Sequence, residues 1–549
     1  MSVIALVFSC GSAFAAWEQN GICIADSGEE MDVMFIAPDP ACGASVLWQS
    51  NSHIGGSCGI GVAKFDWNGL DQWEGSVSCP TYRCVGAYDL ISDGGMGVFA
   101  LTGGSNYYEP DPFSSVCINR ISGDGAVSET SIATFDYYTT DRARLIPDGQ
   151  SGAIAVWNGR PSGETEIRLY AQRYGTDLEP LWTEGGIELG SGMGDRRNPA
   201  LCGDGGQGAI VVWEDHRSGL SLSAQKLDFA GLPAWPAGGV QVDSNHENGL
   251  HTEIISDGGA GAIIVWDETA SGDRDIFAQR VSSDGTPLWG PEGITVCDET
   301  GDQEYPLLTG DGLGGAIIKW RDARSGDHDV YAQRVSASGE KIWAYEGLPV
   351  AAGPGDQNYG RIVENGSGGA IFAWVDDSGS DPDIYARNLS GEGADLWGTG
   401  FVPVCTADNA QTRLVMTRDC IGGAVMAWTD YRNSVYGEVW AMRIYDPHTG
   451  DAQNGPSMET VLANPRPNPF NPRTSIDFEL ASRSRVIIEI FDVEGRRIRR
   501  LLDRMTAPGG HTVNWDGKDD QGRRMSSGVY FCRFAGGGRC LTRKMIMLR

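Results

Sequence analysis

No Cys-x-x-Cys occurs anywhere in the sequence, which argues against a zinc ribbon or a dithiol redox centre. No His-Glu-x-x-His occurs either. The 7 histidines (His53, His216, His246, His251, His328, His448 and His511) are scattered, so neither a helical zinc protease nor a histidine-centred relay is expected. No run of 18 apolar residues is uninterrupted, which by length excludes a membrane-spanning helix. Positive charge is scarce. Against 73 Asp+Glu stand 42 Lys+Arg, a net charge of −31, and so acidic a surface repels nucleic acid.

What is present is glycine and tryptophan, 77 and 17 residues in a chain of 549 that is 41% hydrophobic. That is the composition of a packed, turn-rich chain leaning to all-β. The length exceeds the usual single domain of about 100–200 residues, so at least two domains or a large repeat structure are expected. At the N-terminus an apolar stretch from Val3 to Phe8 leads to Ala13-Phe14-Ala15, an A-x-A cleavage pattern, and residues 1–15 read as a signal peptide. A lipoprotein reading through Cys10 is disfavoured by the bulky Phe8. Of 13 cysteines, all but Cys10 remain after such cleavage, an even number compatible with disulfides in an oxidising compartment. Cys532 and Cys540, placed about Gly536, are expected to form a cross-strand bridge near a hairpin tip.

One phrase recurs: GASVLW (Gly43–Trp48), GAIAVW (Gly152–Trp157), GAIVVW (Gly208–Trp213), GAIIVW (Gly261–Trp266), GAIIKW (Gly315–Trp320), GAIFAW (Gly369–Trp374) and GAVMAW (Gly423–Trp428), with a degenerate MGVFAL ending at Leu101. Successive ends lie 53, 56, 56, 53, 54, 54 and 54 residues apart, which makes eight units. Each unit carries four short apolar or aromatic segments separated by Gly/Asp turns, and in GAIIVW both alternating faces are apolar, as in a strand covered on both sides. The fold expected is an eight-bladed β-propeller over residues 16–455. After Trp428 the fourth strand of the last unit is missing, whereas Ala16–Asp26 matches Leu288–Asp298. The next repeat Trp follows 31 residues on in both registers, Trp17 to Trp48 and Trp289 to Trp320. The N-terminal strand is thus expected to close the ring and remove two open edges.

In such meanders the loop after the repeat Trp shares a face with the connection between blades. That face gathers Asp215 with Arg217, Asp322 with Arg324, Asp327 and Asp329, Asp376 with Asp381 and Asp383, and Asp430 with Arg432. One reading makes each Asp a turn cap paired with the Arg two residues on, a local network per blade. The other makes Asp322, Asp327, Asp329, Asp376, Asp381 and Asp383 ligands for Ca²⁺, a hard cation suited to carboxylates, although no D-x-D-x-D-G run is present and Arg324 would place a charge beside the ion. Repeated residues make poor catalysts, since a catalytic group should be odd in its array; no catalytic residue is assigned.

From Pro456 to the end there are 17 Lys+Arg and 10 Asp+Glu, a net +7, leaving −31 − 7 = −38 on residues 1–455. A Pro-rich linker is expected at 456–473 and a small sandwich of period-two strands at 474–549. The segments NPRPNPFNPRTSIDFEL (Asn464–Leu480), VIIEIFDVEGRRIRRL (Val486–Leu501), GGHTVNWDGKDDQGRRMSSGVYFCRF (Gly509–Phe534) and RKMIMLR (Arg543–Arg549) resemble the C-terminal sorting domain of type IX secretion cargo, and equally the immunoglobulin-like module of flagellar hook-capping proteins. The resemblance implies a β-sandwich that partners the secretion machinery and delivers its cargo to the outer surface of a bacterium or to the medium. The function expected is a monomeric, secreted or surface-displayed, non-enzymatic binding or structural propeller contacting an extracellular protein or glycan. The alternative is an extracellular carbohydrate-active enzyme, a glycoside hydrolase or lyase, on the same scaffold.

Overall fold

The computed structural model describes residues 20–548 apart from 27–28, 41–42, 52–57, 67–70, 78–83, 107–112, 136–142, 191, 218, 244–250, 270–271, 399, 420–421, 445–460, 463–467, 469, 481–483, 494–495, 507–508 and 537–538. The signal peptide expected at 1–15 lies outside them. The described chain is all β, and among the described residues no helix is long and apolar enough to cross a membrane.

Residues 22–444 form eight antiparallel four-stranded sheets of the kind that make propeller blades. The first strands of successive sheets are Glu30–Pro38, Cys84–Ser92, Arg144–Pro147, Arg196–Gly203, Glu253–Ser256, Gln303–Gly310, Gln357–Glu364 and Gln411–Arg418. Each packs beside the first strand of the next sheet, and Gln411–Arg418 packs beside Glu30–Pro38. The eighth sheet takes its outer strand from the N-terminus, where Ile22–Ala25 pairs antiparallel with Glu438–Ile444 in the register Ile22↔Ala441. The repeated phrase is the second strand of each sheet. It is apolar on both faces because alternate residues serve different neighbours: Ile264 and Trp266 join a core with the fourth sheet, Ile263 and Val265 a core with the sixth.

The register corrects one alignment made from sequence. Gly97 donates its N–H to Asp93 as Gly315 does to Asp311, so Thr102, not Leu101, stands at the repeat Trp position of the second sheet. A second repeated lock closes the first hairpin of most sheets. The Oδ1 of Asp311 accepts the N–H groups of Leu313 and Gly315, while Oδ2 pairs with Arg334, which also donates to Gly391 O in the next sheet.

The C-terminal residues form a sandwich. One sheet runs Val461–Leu462, Thr474–Leu480, Gly509–Trp515; the other runs Arg497–Thr506, Ser484–Phe491, Gly528–Gly536, Arg539–Met547. Trp515, Phe470, Phe478 and Tyr530 pack between them. Part of the expected linker therefore belongs to the domain: Val461–Leu462 pairs with Phe478 and Glu479, and the Phe470 N–H donates to Ile546 O at 2.9 Å. The expected Cys532–Cys540 bridge is not formed. The final hairpin turns between Gly536 and Arg539, so Cys532 lies opposite Arg543 and Cys540 opposite Ala535. Cys532 stays a buried free thiol, three residues out of register with Cys540. Cys23, Cys202, Cys297 and Cys405 are free as well, whereas Cys117 is disulfide-bonded.

Candidate functional site

The repeated Asp–Arg pairs are internal locks. Asp322, fully buried, accepts the Trp320 indole N–H at 2.7 Å, the Arg324 amide at 3.0 Å and the Arg324 Nε at 2.8 Å. Arg324 lies 4.1 Å over the Tyr331 ring and donates to Glu346 O. Asp430 repeats this with Trp428 and Arg432, which stacks 3.6 Å over Trp440 and donates to Asn20 O, tying the N-terminus to the eighth sheet. Asp215 does the same with Trp213 and Arg217, where burial raises the carboxyl but the Arg217 hydrogen bonds outweigh it and hold it below the usual range. In the third and fifth sheets Gly159 and Glu268 stand two past the Trp, and the Trp157 and Trp266 indole N–H groups have no partner.

The carboxylates considered for Ca²⁺ do not converge. Asp327 accepts the Gly355 N–H and Asp329 accepts the Ser325 hydroxyl at 2.7 Å and the Gly353 N–H, stitching one loop to the next connection. In the seventh sheet Asp376 accepts the Ser378 N–H, and burial together with Asp376 and Asp381 holds the Asp383 carboxyl above its ordinary value. Among the described residues no group of three or more His, Cys, Asp or Glu is placed to hold a metal ion.

The residues that differ from blade to blade lie where the same face meets the axis. In each first strand, just inside a bulge in six of the eight, one residue pairs with the residue before the repeat Trp position. The eight pairs are Phe35↔Leu47, Asp89↔Leu101, Arg144↔Val156, Ala200↔Val212, Glu253↔Val265, Leu307↔Lys319, Arg361↔Ala373 and Val415↔Ala427. Charge occupies four of the eight first-strand positions, as Asp89, Arg144, Glu253 and Arg361, but only one of the eight second-strand positions, as Lys319. Arg144, Glu253, Leu307, Lys319 and Arg361 line a cavity of about 260 Å³ with His251, Tyr305 and Pro306. A second lobe of about 420 Å³ shares Tyr305, Lys319 and Arg361 and adds Arg321, Asn358 and Tyr359.

Lys319 is 4% exposed and donates to Tyr305 O at 3.0 Å. Burial, then the charges of Arg361 and Arg321, push its ammonium down to about 7, against a weaker pull from Glu253. Arg361 donates its Nε to Leu414 O, and its enclosure lowers its affinity for a proton. Glu253 lies 4.0 Å from Arg144. Among the described residues no carboxylate comes within ion-pair distance of Lys319 or Arg361. His251 is held by Asp267 at 2.8 Å, and its ring lies 4.0 Å from that of Tyr305. Nearby Asp89 accepts the Leu145 N–H at 2.8 Å; burial raises its carboxyl to about 6, partly opposed by Arg144. Tyr305 and Tyr359 sit at the bulges with φ of 56° and 52°, a left-handed conformation unusual for bulky residues, and stand 44% and 47% exposed at the mouth.

None of these axial residues was singled out from sequence. The signal was there in GAIIKW, the one copy of the phrase with a charged residue before its Trp. The opposite mouth holds a larger cavity, about 730 Å³, lined by glycine turns and apolar strand residues, where the charged groups are paired, Asp257 with Arg280 and Glu364 with Arg418. One Gly-x-Ser-x-Gly spacing occurs, at Gly55–Gly59. Its Ser57 lies outside the described residues, and the residues that follow, Cys58–Phe65, form a strand where a nucleophile elbow requires a helix.

Comparison with known proteins places the C-terminal module most firmly. Residues 470–535 match the family described as FlgD Ig-like domain. No curated protein matches the sequence. Similar solved structures include the β-propeller domain of the Trilobed protease from Pyrococcus furiosus, 10% identical, covering 69% of this chain and 97% of that one with a TM-score of 0.41. Sqt1 from Chaetomium thermophilum is 14% identical over 78% of this chain and 100% of that one, TM-score 0.42. PorZ, a surface component of the type IX secretion system of Porphyromonas gingivalis, is 10% identical over 94% of this chain and 81% of that one, TM-score 0.24. The chain is thus similar to propeller proteins over its repeats, and it carries a FlgD-type immunoglobulin-like domain behind them.

Proposed function

We propose that this protein is an exported bacterial binding protein: a closed eight-bladed ring that captures its ligand at the axial mouth, followed by an immunoglobulin-like tail that serves as its secretion address. The observation that carries the binding role is the distribution of polar groups. Repeated carboxylates are tied up in locks within a sheet or between a loop and the next connection, whereas Lys319, the one charged residue at its strand position, meets Arg144, Arg361 and Glu253 in one two-lobed cavity with a single lining carboxylate, Glu253. Ring closure is supported by the pairing of Ile22–Ala25 with Glu438–Ile444. The address is supported by the family match at 470–535 and by the change from an acidic ring to a basic tail.

Two experiments test the reading. In a host with type IX machinery, a chain ending at Gly455 should stop in the periplasm while the full chain reaches the surface or medium; equal release of both overturns the address. On a glycan array the full chain should retain ligand without shortening it. Release of cleaved products moves the assignment to a hydrolase or lyase.

A further inference from the structure

We propose that the two lobes beside Tyr305 form a site for an acidic saccharide, its carboxylate held by Lys319 and Arg361 and its sugar face laid on Tyr359. This rests on the reading of the ring as a binding scaffold and adds the chemistry of what is bound.

Charge balance is the first argument. Arg144, Lys319 and Arg361 surround the single carboxylate Glu253, so the pocket holds an excess of cations inside a ring carrying −38 overall. Lys319 stands where the seven equivalent positions hold Leu, Val or Ala, and a lysine buried there without a paired carboxylate is costly unless something anionic completes it. The second argument is the company these cations keep. Glu253 faces the pocket, and beside it Arg321 is ion-paired to Glu304 and donates to Asn358 Oδ1 at 3.3 Å. Those acceptors would repel a bare phosphate or sulfate, but they suit hydroxyl groups, which donate. The half-exposed Tyr359 ring beside the cations supplies the apolar face against which a sugar packs, whereas the Tyr305 ring is taken up by His251 at 4.0 Å and Arg321 at 4.7 Å. Lobes of about 260 and 420 Å³ fall in the range of small-ligand sites.

The charged side chains facing Lys319 are Arg361 and Glu253 from the packed strands and Arg321 from its own, with Arg144 and His251 further along the wall. An uronate stays ionised above pH 5, so loss of affinity at higher pH would report the protein's own cations. Deprotonating Lys319 between pH 6 and pH 8 should weaken binding about tenfold, with a proton taken up on binding near neutrality. His251, already held by Asp267, is separated from this effect by the Lys319 variants.

The experiment is calorimetric titration of the full-length chain at pH 6 with tri-galacturonate and a hyaluronan tetrasaccharide, with a neutral galactose trisaccharide and sodium sulfate as comparators. At least one acidic saccharide should bind ten or more times tighter than both comparators. Lys319→Met and Arg361→Met should each lower that affinity at least tenfold while retaining a cooperative melt, and Lys319→Arg should bind with no loss between pH 6 and pH 8. Equal binding of neutral and acidic sugars, undiminished binding by both Met variants, or sulfate binding as tightly as the saccharide overturns the assignment and leaves the binding scaffold standing. Binding of neither acidic saccharide, with a neutral glycan retained on the array, does the same. A blank array overturns the scaffold reading itself.

Discussion

Asp322 and Lys319 lie three residues apart in one strand and are buried charges of opposite kinds. Asp322 is enclosed by donors from Trp320 and Arg324, so Asp322→Ala strands a guanidinium over Tyr331. It should cost about 3 kcal/mol in denaturant unfolding, with Asp322→Asn costing less. Lys319 has no such counter-charge. Its folded-state value near 7 lies below the unfolded 10.5, so its unfavourable contribution is absent above the unfolded value and grows as pH falls towards 7. Lys319→Met should therefore raise Tm, by more at pH 6 than at pH 9; an equal or lower Tm at pH 6 would refute the uncompensated charge. The first residue was legible from sequence because the Trp-x-Asp-x-Arg spacing repeats. The second was not, because a search for repetition discards the odd letter, and only the strand register shows that Lys319 and Arg361 reach one cavity.

At the level of strands, period two and Gly/Asp punctuation made the four-stranded sheets readable, and the 31-residue Trp spacing pointed to the N-terminal strand that pairs in the eighth sheet. What escaped was detail set by turn length. Taking Gly536 as the hairpin centre misplaced the Cys532 pairing by three residues, and the masking of the Trp by Thr102 shifted one alignment by one. The closing strand makes a direct prediction: removing residues 20–26 bares the edge of Glu438–Ile444 and unties Arg432 from Asn20 O. Tm should drop by several degrees and the truncated ring should aggregate, whereas trimming residues 1–19 should do neither. In the tail, burial raises the Glu489 carboxyl, but Arg533 and Arg500 outweigh it and hold it low. Its stabilisation is present above the unfolded value of about 4.5 and lost as pH falls below it. Glu489→Ala, leaving Arg497, Arg500 and Arg533 crowded together, should cost the tail about 2 kcal/mol at pH 7 and progressively less as pH falls below about 4.5, measured by hydrogen exchange of the tail amides in the full chain.

For the molecule as a whole, fold class and the division into an acidic repeat array and a basic sandwich could be read from composition and spacing, since both are properties of many residues at once. The ligand site could not, because it depends on a handful of side chains brought together from blades far apart in the chain. The same geometry has a bearing on time. Arg432 reaches Asn20 across 412 residues of sequence, so the last sheet cannot be finished until nearly the whole array has been made, and its first strand must wait unpaired throughout. Contacts of such long range slow folding without altering what is finally formed. A permuted chain that carries residues 20–26 directly after Ile444 through a short glycine linker turns that contact into a local hairpin. It should refold faster in stopped-flow experiments at nearly unchanged equilibrium stability.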